Sequence, residues 1–280
     1  IKMNYQKAYV EVGKSVIQID IPNEYEDVMP GVKWGSAIGF PTVAYWFYKV
    51  LSNRLENNTV QYKLGRSLIE EVGACLLGGH GIPAATGVAA FDHMKSFGTF
   101  EEKNLSEEQL YDWLSMPIDI GEKTIKYRFA KQKAYYLYHT IHKLNNEDAP
   151  IDSGKNLRNW LMEIKGIGPK TASWVARNWL DADDVAILDI HIYRAGLLGG
   201  FFDDNLTVER HYEKLEDIFV NLADSMHIRT SELDAVMWYE MQQSSSIKQL
   251  LESRKNKTKS IIKGWSANKR DTYSDQLALI

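Results

Sequence analysis

The chain has 280 residues, 44% of them hydrophobic, so it can bury a full core in one large domain or two closely packed ones. Its net charge of −4 excludes a protein that holds a polyanion by bulk electrostatic attraction alone. Cys75 is the single cysteine, which excludes a disulfide framework, a four-cysteine zinc site and a cysteine-ligated iron–sulfur cluster. Without a membrane-length apolar run or a leader-like start, we expect a cytoplasmic protein.

The chain opens with strand patterns and continues with helical ones. Residues 8–22 alternate apolar and polar positions and are rich in Val and Ile, which predicts one or two strands. From about residue 40 the apolar spacing is helical, and it predicts a mainly α protein. The predicted helices are 42–55, 65–79, one following Pro83, 106–115, 127–144, 155–164, 169–180, 191–198, 208–223, 231–243 and 246–253.

These patterns predict three parts: a β-rich N-terminal segment (1–40), a helical body (41–253) and a basic C-terminal tail (254–280). Residues 248–270 contain eight basic residues and one acidic residue. A solvated helix face with a frayed end is the plain interpretation of this run. Any contact of this chain with a polyanion must therefore be local.

The segment EIKGIGPKTASW, residues 163–174, interrupts two helical patterns with Gly166 and Gly168. Both glycines are expected to need a positive φ or a close backbone neighbour, and Pro169 suits the first position of the second helix. Residues 157–180 therefore predict an αα-hairpin. Simple helix packing explains such glycines. The alternative is that backbone N–H groups at the helix start bind a phosphate.

The segment VAILDIHIYRA, residues 185–195, delivers Asp189 and His191 just ahead of another helix. The helix from Pro169 runs about 18 Å and an extended return of about eight residues covers about 26 Å, so Asp189 can return beside Lys170. A desolvated amine is a nucleophile, and a neighbouring carboxylate stabilises a cation or moves a proton. The plain alternatives are a solvated lysine and a helix-capping aspartate.

The hairpin, Lys170, the Asp-x-His sequence and the 19-residue spacing from Lys170 to Asp189 together resemble the helix-hairpin-helix (HhH-GPD) DNA glycosylases, in particular the 8-oxoguanine DNA glycosylase branch. The resemblance is sharp over residues 157–194 and extends by helix order over 65–243. It implies the HhH-GPD fold and a bifunctional glycosylase and abasic-site lyase that acts on duplex DNA. Endonuclease III has the same lysine but holds an iron–sulfur cluster with four cysteines, which disfavours that branch.

The resemblance also implies a role for each residue of the motif. Lys170 would attack C1′ of an everted nucleotide and form a Schiff base that permits β-elimination, and Asp189 would stabilise the oxocarbenium charge. Gly166 and Gly168 would hold a DNA phosphate, with a monovalent cation as the one non-protein group to consider there. His191 would contact a phosphate beside the everted nucleotide, although an ordinary packed histidine fits its position equally well. No other cofactor or metal is implied, and we expect a nucleoid-associated monomer.

Three residues of the implied base pocket depart from the 8-oxoguanine pattern. Trp174 stands where that branch has a small thiol that stacks on the base. Asp234 replaces the glutamine that reads the base edge, and Trp238 replaces a stacking phenylalanine. Asp234 accepts hydrogen bonds where glutamine both donates and accepts, so guanine-edge reading would survive in altered form. Core packing is the plain alternative for both tryptophans.

Two further residues are candidates for contacts with the orphaned partner base. His80, in the loop 78–84, is the candidate for filling the gap left by the everted nucleotide. Arg128, in a segment that resembles the helix with an orphan-base arginine, is the other, although a solvated basic helix face explains it more simply. Three functions stay open: excision of 8-oxoguanine, the first candidate; the same chemistry on another bulky base, such as a hypermodified pyrimidine in foreign (phage) DNA; and a non-catalytic DNA-binding module.

Overall fold

The N-terminal part of the structure consists of two antiparallel strand pairs. The structure is a computed structural model that describes residues 4–58, 62–79 and 81–256. β1 (Gln6–Val12) and β2 (Ser15–Ile21) form a hairpin, and β3 (Asp27–Met29) and β4 (Val32–Lys33) form a shorter pair. One face of the hairpin is buried, through Ala8, Val10, Ile19 and Ile21.

The rest of the described chain is helical apart from one small hairpin. Its elements are α1 (Val43–Leu55), α2 (Leu68–Leu77), α3 (Ala84–Ser96), α4 (Glu107–Ser115), β5 (Ile118–Ile120), β6 (Lys123–Ile125), α5 (Ala130–Asn146), α6 (Gly154–Leu161), α7 (Pro169–Leu180), α8 (Ile190–Gly199), α9 (Val208–Ser225), α10 (Thr230–Gln243) and α11 (residues 247–256). Several helices begin where a Ser or Thr hydroxyl accepts the backbone N–H three residues on, at Thr42, Ser67, Ser106 and Ser153.

Two hydrophobic cores organise these elements. The first core is formed by β1, β2, α1, α8, α9 and α10, and the second by α2 to α7 with β5. The chain changes from the second core to the first between Val185 and Ala186, in the segment that links α7 to α8. The start of α8 is therefore anchored in one core and α7 in the other, so side chains at their junction face each other across a boundary between two packed units.

The prediction of a mainly helical chain with a β-rich N-terminal segment is confirmed. The β5–β6 hairpin was missed, because strands of three residues are too short to show a convincing alternation. The helix predicted from residue 127 begins at Ala130 instead, because Tyr127 is buried and its hydroxyl donates to Leu77 O at 2.5 Å. In the described part of the chain, no helix is both long and apolar enough to cross a membrane. The three predicted domain limits stay a prediction.

Candidate active site

The turn between α6 and α7 contains the two glycines of the predicted hairpin, and Gly166 is required by the fold. Its φ is +87°, and a Cβ added there would lie 2.3 Å from ring atoms of Tyr136 on α5. A left-handed backbone and a ring at that distance both demand glycine. Packing of the hairpin on α5 therefore accounts for Gly166.

Gly168 has no comparable structural requirement. It is the N-cap residue of α7 with a φ of −94°, and an added Cβ would meet no described heavy atom within 4 Å. The sequence-based expectation of a positive φ or a close backbone neighbour is wrong at this glycine. Gly168 is exposed, and no side chain caps the helix behind it. The space beside Gly168 is therefore open, and an anionic group can approach the uncapped N-terminus of α7 from this side.

Lys170 lies in the first turn of α7 and is partly buried. Trp174 and Arg177 follow it at i+4 and i+7, so the three side chains lie on one face of the helix. This stripe covers about 10 Å of the helix axis. The amine of Lys170 thus lies near the N-terminus of α7, the indole of Trp174 follows it, and the guanidinium of Arg177 lies towards the C-terminal end, which we call the inner end of this Lys170 stripe.

Asp189 is the N-cap residue of α8, as its plain interpretation predicts. Its Oδ1 accepts hydrogen bonds from the backbone N–H groups of His191 at 2.8 Å and Ile192 at 2.9 Å. Its Oδ2 accepts none from the described residues. Capping holds the carboxylate in one orientation and leaves its second oxygen available. The capping role and a catalytic role are therefore compatible.

The hydroxyl of Tyr212, on α9, ties the segment before Asp189 to α7. It donates to Ala186 O at 2.7 Å and accepts from Leu188 N at 3.2 Å. Burial raises the pKa of Tyr212, and Ser173, one helical turn beyond Lys170, is close enough to act against that rise. The residue before Asp189 is thus held at the level of the first two turns of α7. The segment that leads to Asp189 therefore lies against α7, the helix that carries Lys170.

A buried carboxylate next to Tyr212 holds the same junction from a second side. Glu216 is 1% exposed; it accepts from Ala186 N at 3.0 Å, from Ser173 Oγ at 3.4 Å and from Arg158 Nη1, on α6, at 2.5 Å. Burial raises its pKa, and the bonds from Ala186 and Arg158 act against that rise. This network joins α6, α7, α9 and the linking segment in one hydrogen-bonded unit.

Asp234, on α10, lies across the junction from α7. It is 5% exposed, and its Oδ2 accepts from Ile187 N at 3.3 Å. Burial raises the pKa of Asp234 to about 6; the charge of Arg177 acts against the rise and the charge of Asp189 adds to it. Asp234 is therefore close enough to both groups to sense their charges, which places it beside the Lys170 stripe.

The two predicted pocket tryptophans differ in exposure. Trp174 is partly buried in the second core, and its indole packs on Gly78 so closely that a Cβ there would lie 3.5 Å from Cη2. Trp238 is 41% exposed, one turn beyond Asp234 on α10. Core packing explains much of the Trp174 indole but little of Trp238. An exposed indole next to a buried carboxyl is available to stack on a flat group.

The remaining predicted residues lie around this junction. His191 is partly buried in the first turn of α8. Arg128 lies in the turn before α5, not on a helix as the sequence suggested, and its guanidinium is 5.1 Å from the ring of Phe129. That ring would be 3.9 Å from a Cβ at Gly81, so Arg128 lies near the loop 78–84. His80 itself lies outside the described residues.

Arg177 and Tyr212 are not among the site residues predicted from the sequence. The spacing of Arg177 from Lys170, one helical face, could have identified the first, whereas nothing in the sequence marks the second. Among the described residues, no group of three or more His, Cys, Asp or Glu side chains could hold a metal ion. Two surface cavities, of about 350 Å³ beside the end of α7 and about 720 Å³ beside β4, are not lined by Lys170, Asp189 or Asp234.

Comparison with known proteins gives several relatives of one kind. The chain is 32% identical over 135 residues to the 8-oxoguanine DNA glycosylase/AP lyase of Methanocaldococcus jannaschii, covering 45% of this chain and 65% of the relative. It is 36% identical over 127 residues to the protein of the same name from Saccharolobus islandicus, covering 42% of this chain and 60% of the relative. The chain thus matches less than two thirds of the length of either relative.

Solved structures show the same fold. The crystal structure of the M. jannaschii 8-oxoguanine DNA glycosylase has a TM-score of 0.50 and 25% identity, and covers 75% of this chain and 90% of that one. A non-covalent endonuclease III–DNA complex has a TM-score of 0.50 at 16% identity over 70% of this chain and 83% of that one, which shows the fold alone. The predicted HhH-GPD fold is confirmed.

A family profile described as 8-oxoguanine DNA glycosylase matches residues 53–228. The match covers more than half of the chain, including the hairpin, Lys170 and Asp189, and it ends before Asp234. The chain therefore belongs to the 8-oxoguanine DNA glycosylase family.

Proposed function

We propose that this protein is a bifunctional DNA glycosylase and abasic-site lyase that removes a modified base, with 8-oxoguanine as the first candidate, from duplex DNA. The observation that carries the proposal is the junction between the two cores, where Tyr212 and Glu216 hold the segment before Asp189 against α7, the helix whose first turn contains Lys170. The names of the relatives support the same activity.

In this proposal the partly buried amine of Lys170 is the nucleophile. Its lone pair forms a bond to C1′ of an everted nucleotide while the glycosidic C1′–N bond breaks and the base leaves with the electron pair. Loss of a proton from Nζ and opening of the sugar ring give a Schiff base at C1′. Removal of a proton from C2′ then expels the 3′ phosphate, which completes the lyase step.

Asp189 supports the first of these steps. Its Oδ1 is committed to the N–H groups of α8, so Oδ2 is the oxygen that would face the sugar. A negative charge held in a fixed orientation stabilises the positive charge that develops at C1′. The same oxygen can accept a proton from the Lys170 amine.

DNA would be held at the hairpin. The open space at Gly168 and the uncapped N-terminus of α7 suit one phosphate group. A monovalent cation on the hairpin carbonyls, a phosphate contact of His191 and orphan-base contacts of His80 and Arg128 stay predictions. The same holds for a monomeric state.

The departures in the pocket favour a second candidate substrate. A bulky indole at Trp174 and a buried carboxyl at Asp234 also suit a large modified base other than 8-oxoguanine, such as a hypermodified pyrimidine in foreign DNA. Incubation with a panel of duplexes that contain oxidised purines or hypermodified pyrimidines, followed by mass spectrometry of the released base, would separate the two candidates.

Borohydride trapping tests the activity itself. Borohydride should reduce the Schiff base and give a covalent protein–DNA adduct with the wild type, and Lys170→Gln should give none. Lys123→Gln is the matched control, since Lys123 is an exposed lysine of β6. Base release without any adduct would replace the proposal with a monofunctional glycosylase. DNA binding with neither product would support a non-catalytic binding module.

A further inference from the structure

Unsatisfied polar atoms are concentrated in one part of the molecule. Among the described residues, seven buried side-chain nitrogen or oxygen atoms have no hydrogen-bond partner. Five of these seven belong to the inner end of α7 and the first turn of α10, namely Arg177 Nε and Nη1, Asn178 Oδ1, Thr230 Oγ1 and Ser231 Oγ. Because an unpaired buried polar group is destabilising, such a cluster calls for a physical explanation.

Arg177 is the most unusual member of the cluster. It is 7% exposed, and it makes no ion pair with any residue that the structure describes. Arg158, the other arginine buried to this degree among the described residues, is 4% exposed and pairs with Glu216 at 2.5 Å. A buried guanidinium normally has such a partner, since it carries a full charge and five N–H donors. Arg177 therefore has buried N–H donors that are free to bind a ligand.

The guanidinium of Arg177 lies at the inner end of the Lys170 stripe. It stacks on the ring of Tyr62 at 4.1 Å, and the hydroxyl of Tyr62 is 3.4 Å from Ser231 O on α10. Tyr62 is partly exposed, so the guanidinium is separated from solvent by about one side chain. Arg177, on α7, and Asp234, on α10, lie close enough for the charge of Arg177 to lower the pKa of Asp234.

The chemistry of this pair selects one kind of ligand edge. A guanidinium only donates hydrogen bonds and an ionised carboxylate only accepts them. The Watson–Crick edge of a guanine-type base presents a carbonyl acceptor, O6, beside two donors, N1–H and the N2 amino group. A site in which Arg177 supplies the donors and Asp234 supplies the acceptors complements that edge. An adenine-type base presents an amino donor at position 6 and would leave Arg177 unpaired.

We propose that Arg177 is a base-reading residue, whose guanidinium donates to O6 of an everted guanine-type base while Asp234 accepts from its N1–H and N2–H groups. This inference rests on the proposed glycosylase function and names the edge of the substrate that the site recognises. The ring of Tyr62 covers one face of the guanidinium. Ser231, three residues before Asp234 on α10, adds a hydroxyl on the Asp234 side of the site.

The test compares two duplexes, one containing 8-oxoguanine and one containing an abasic site, which has no base to read. Arg177→Met should lower the single-turnover rate of 8-oxoguanine release by about tenfold or more, the value of a hydrogen bond to a charged group. It should leave cleavage of the abasic duplex within about threefold of the wild type, because Lys170 and Asp189 are unchanged. Arg210→Met, at an exposed arginine of α9, is the matched control and should change neither rate.

The wild-type protein provides a second arm that does not depend on a variant's folding. Wild type should release 8-oxoguanine at least about tenfold faster than 8-oxoadenine, and Arg177→Met should lose most of this preference. Equal release of the two bases by the wild type, or parallel loss of both activities in Arg177→Met, would overturn the inference and leave Arg177 with a structural role. A wild type that cleaves no abasic duplex and forms no adduct would overturn the proposed function first.

Discussion

Two polar regions lie between the two cores: the junction formed by Tyr212 and Glu216, and the pair formed by Arg177 and Asp234. They differ in how many of their polar atoms have hydrogen-bond partners. At the junction, Tyr212 and Glu216 complete a hydrogen-bond network without any ligand. In the Arg177–Asp234 pair, by contrast, Arg177 has N–H donors without partners and the pKa of Asp234 is raised. In the proposed function, the fold alone would set the geometry of the reacting pair, whereas the base-reading groups would be satisfied only when a base is bound.

Asp189→Asn should cause the largest change and tests whether the junction serves catalysis. Asparagine caps a helix as well as aspartate does, so the free energy of unfolding should hardly change. Base release should fall by about 10²- to 10⁴-fold, because the charge that stabilises the transition state is lost. Single-turnover kinetics with a lesion duplex would measure the fall. Asp203→Asn, at an exposed aspartate that accepts from Asn205 N at 2.8 Å, should keep full activity.

If Asp189→Asn kept its activity, the capping interpretation alone would account for Asp189. Activity retained with unchanged stability would separate Asp189 from catalysis. The junction that holds Asp189 would then have a structural role only.

Asp234→Asn tests the Arg177–Asp234 pair through the free energy of unfolding. Burial raises the pKa of Asp234 from 3.8 to about 6, with Arg177, Asp189, Tyr62 and Tyr212 as the groups that interact with its charge. Between about pH 4 and pH 6 the folded state holds the proton that the unfolded state has lost, so rising pH should reduce wild-type stability. A shift of about two units corresponds to about 3 kcal/mol at full burial.

The Asp234→Asn variant has an amide at this position, which binds no proton between pH 4 and pH 7. Its stability relative to wild type should therefore increase by up to about 3 kcal/mol between pH 4 and pH 7. Urea unfolding at both pH values would measure the change, with Asp203→Asn as the exposed control. Parallel curves for Asp234→Asn and wild type would show that Asp234 is not a buried carboxyl with a raised pKa.

The two hairpin glycines should respond differently to alanine. Gly166→Ala should reduce stability by more than about 1 kcal/mol, because it combines a positive φ with a Cβ at 2.3 Å from the Tyr136 ring. Gly168→Ala should change stability by less than about 1 kcal/mol and should weaken DNA binding, since its Cβ enters the open space beside the helix start. Thermal unfolding and fluorescence anisotropy would measure the two effects. Unchanged DNA affinity in Gly168→Ala would remove this glycine from the DNA interface.

Tyr212→Phe should give the smallest effect. It removes one hydroxyl, leaves Leu188 N–H and Ala186 O without that partner, and should lower kcat on an abasic duplex by about tenfold with little change in Kd for DNA. Tyr193→Phe loses a similar bond, to Leu206 O at 2.7 Å, and should leave kcat unchanged. Equal effects of the two variants on kcat would mean that Tyr212 contributes only to stability.

The proposed catalytic pair could be predicted from the sequence because its two residues are close in the chain and have a recognisable spacing. Lys170, Asp189 and the hairpin lie within one short segment, and helix geometry brings the segment back on itself. The Arg177–Asp234 pair could not be predicted in this way, since Tyr62, Arg177 and Asp234 come from three distant parts of the chain. Tyr212 was missed for the same reason: its role depends on the packing of α9, which no local pattern encodes.

The most direct test of the account is to locate the trapped bond. After borohydride reduction of the wild-type complex with an abasic duplex, protease digestion and mass spectrometry should find the sugar remnant on Nζ of Lys170 in the peptide that follows the hairpin. An adduct on another lysine or on the N-terminal amine, or an adduct of undiminished yield in Lys170→Gln, would contradict the assignment of Lys170 and Asp189 as the reacting pair.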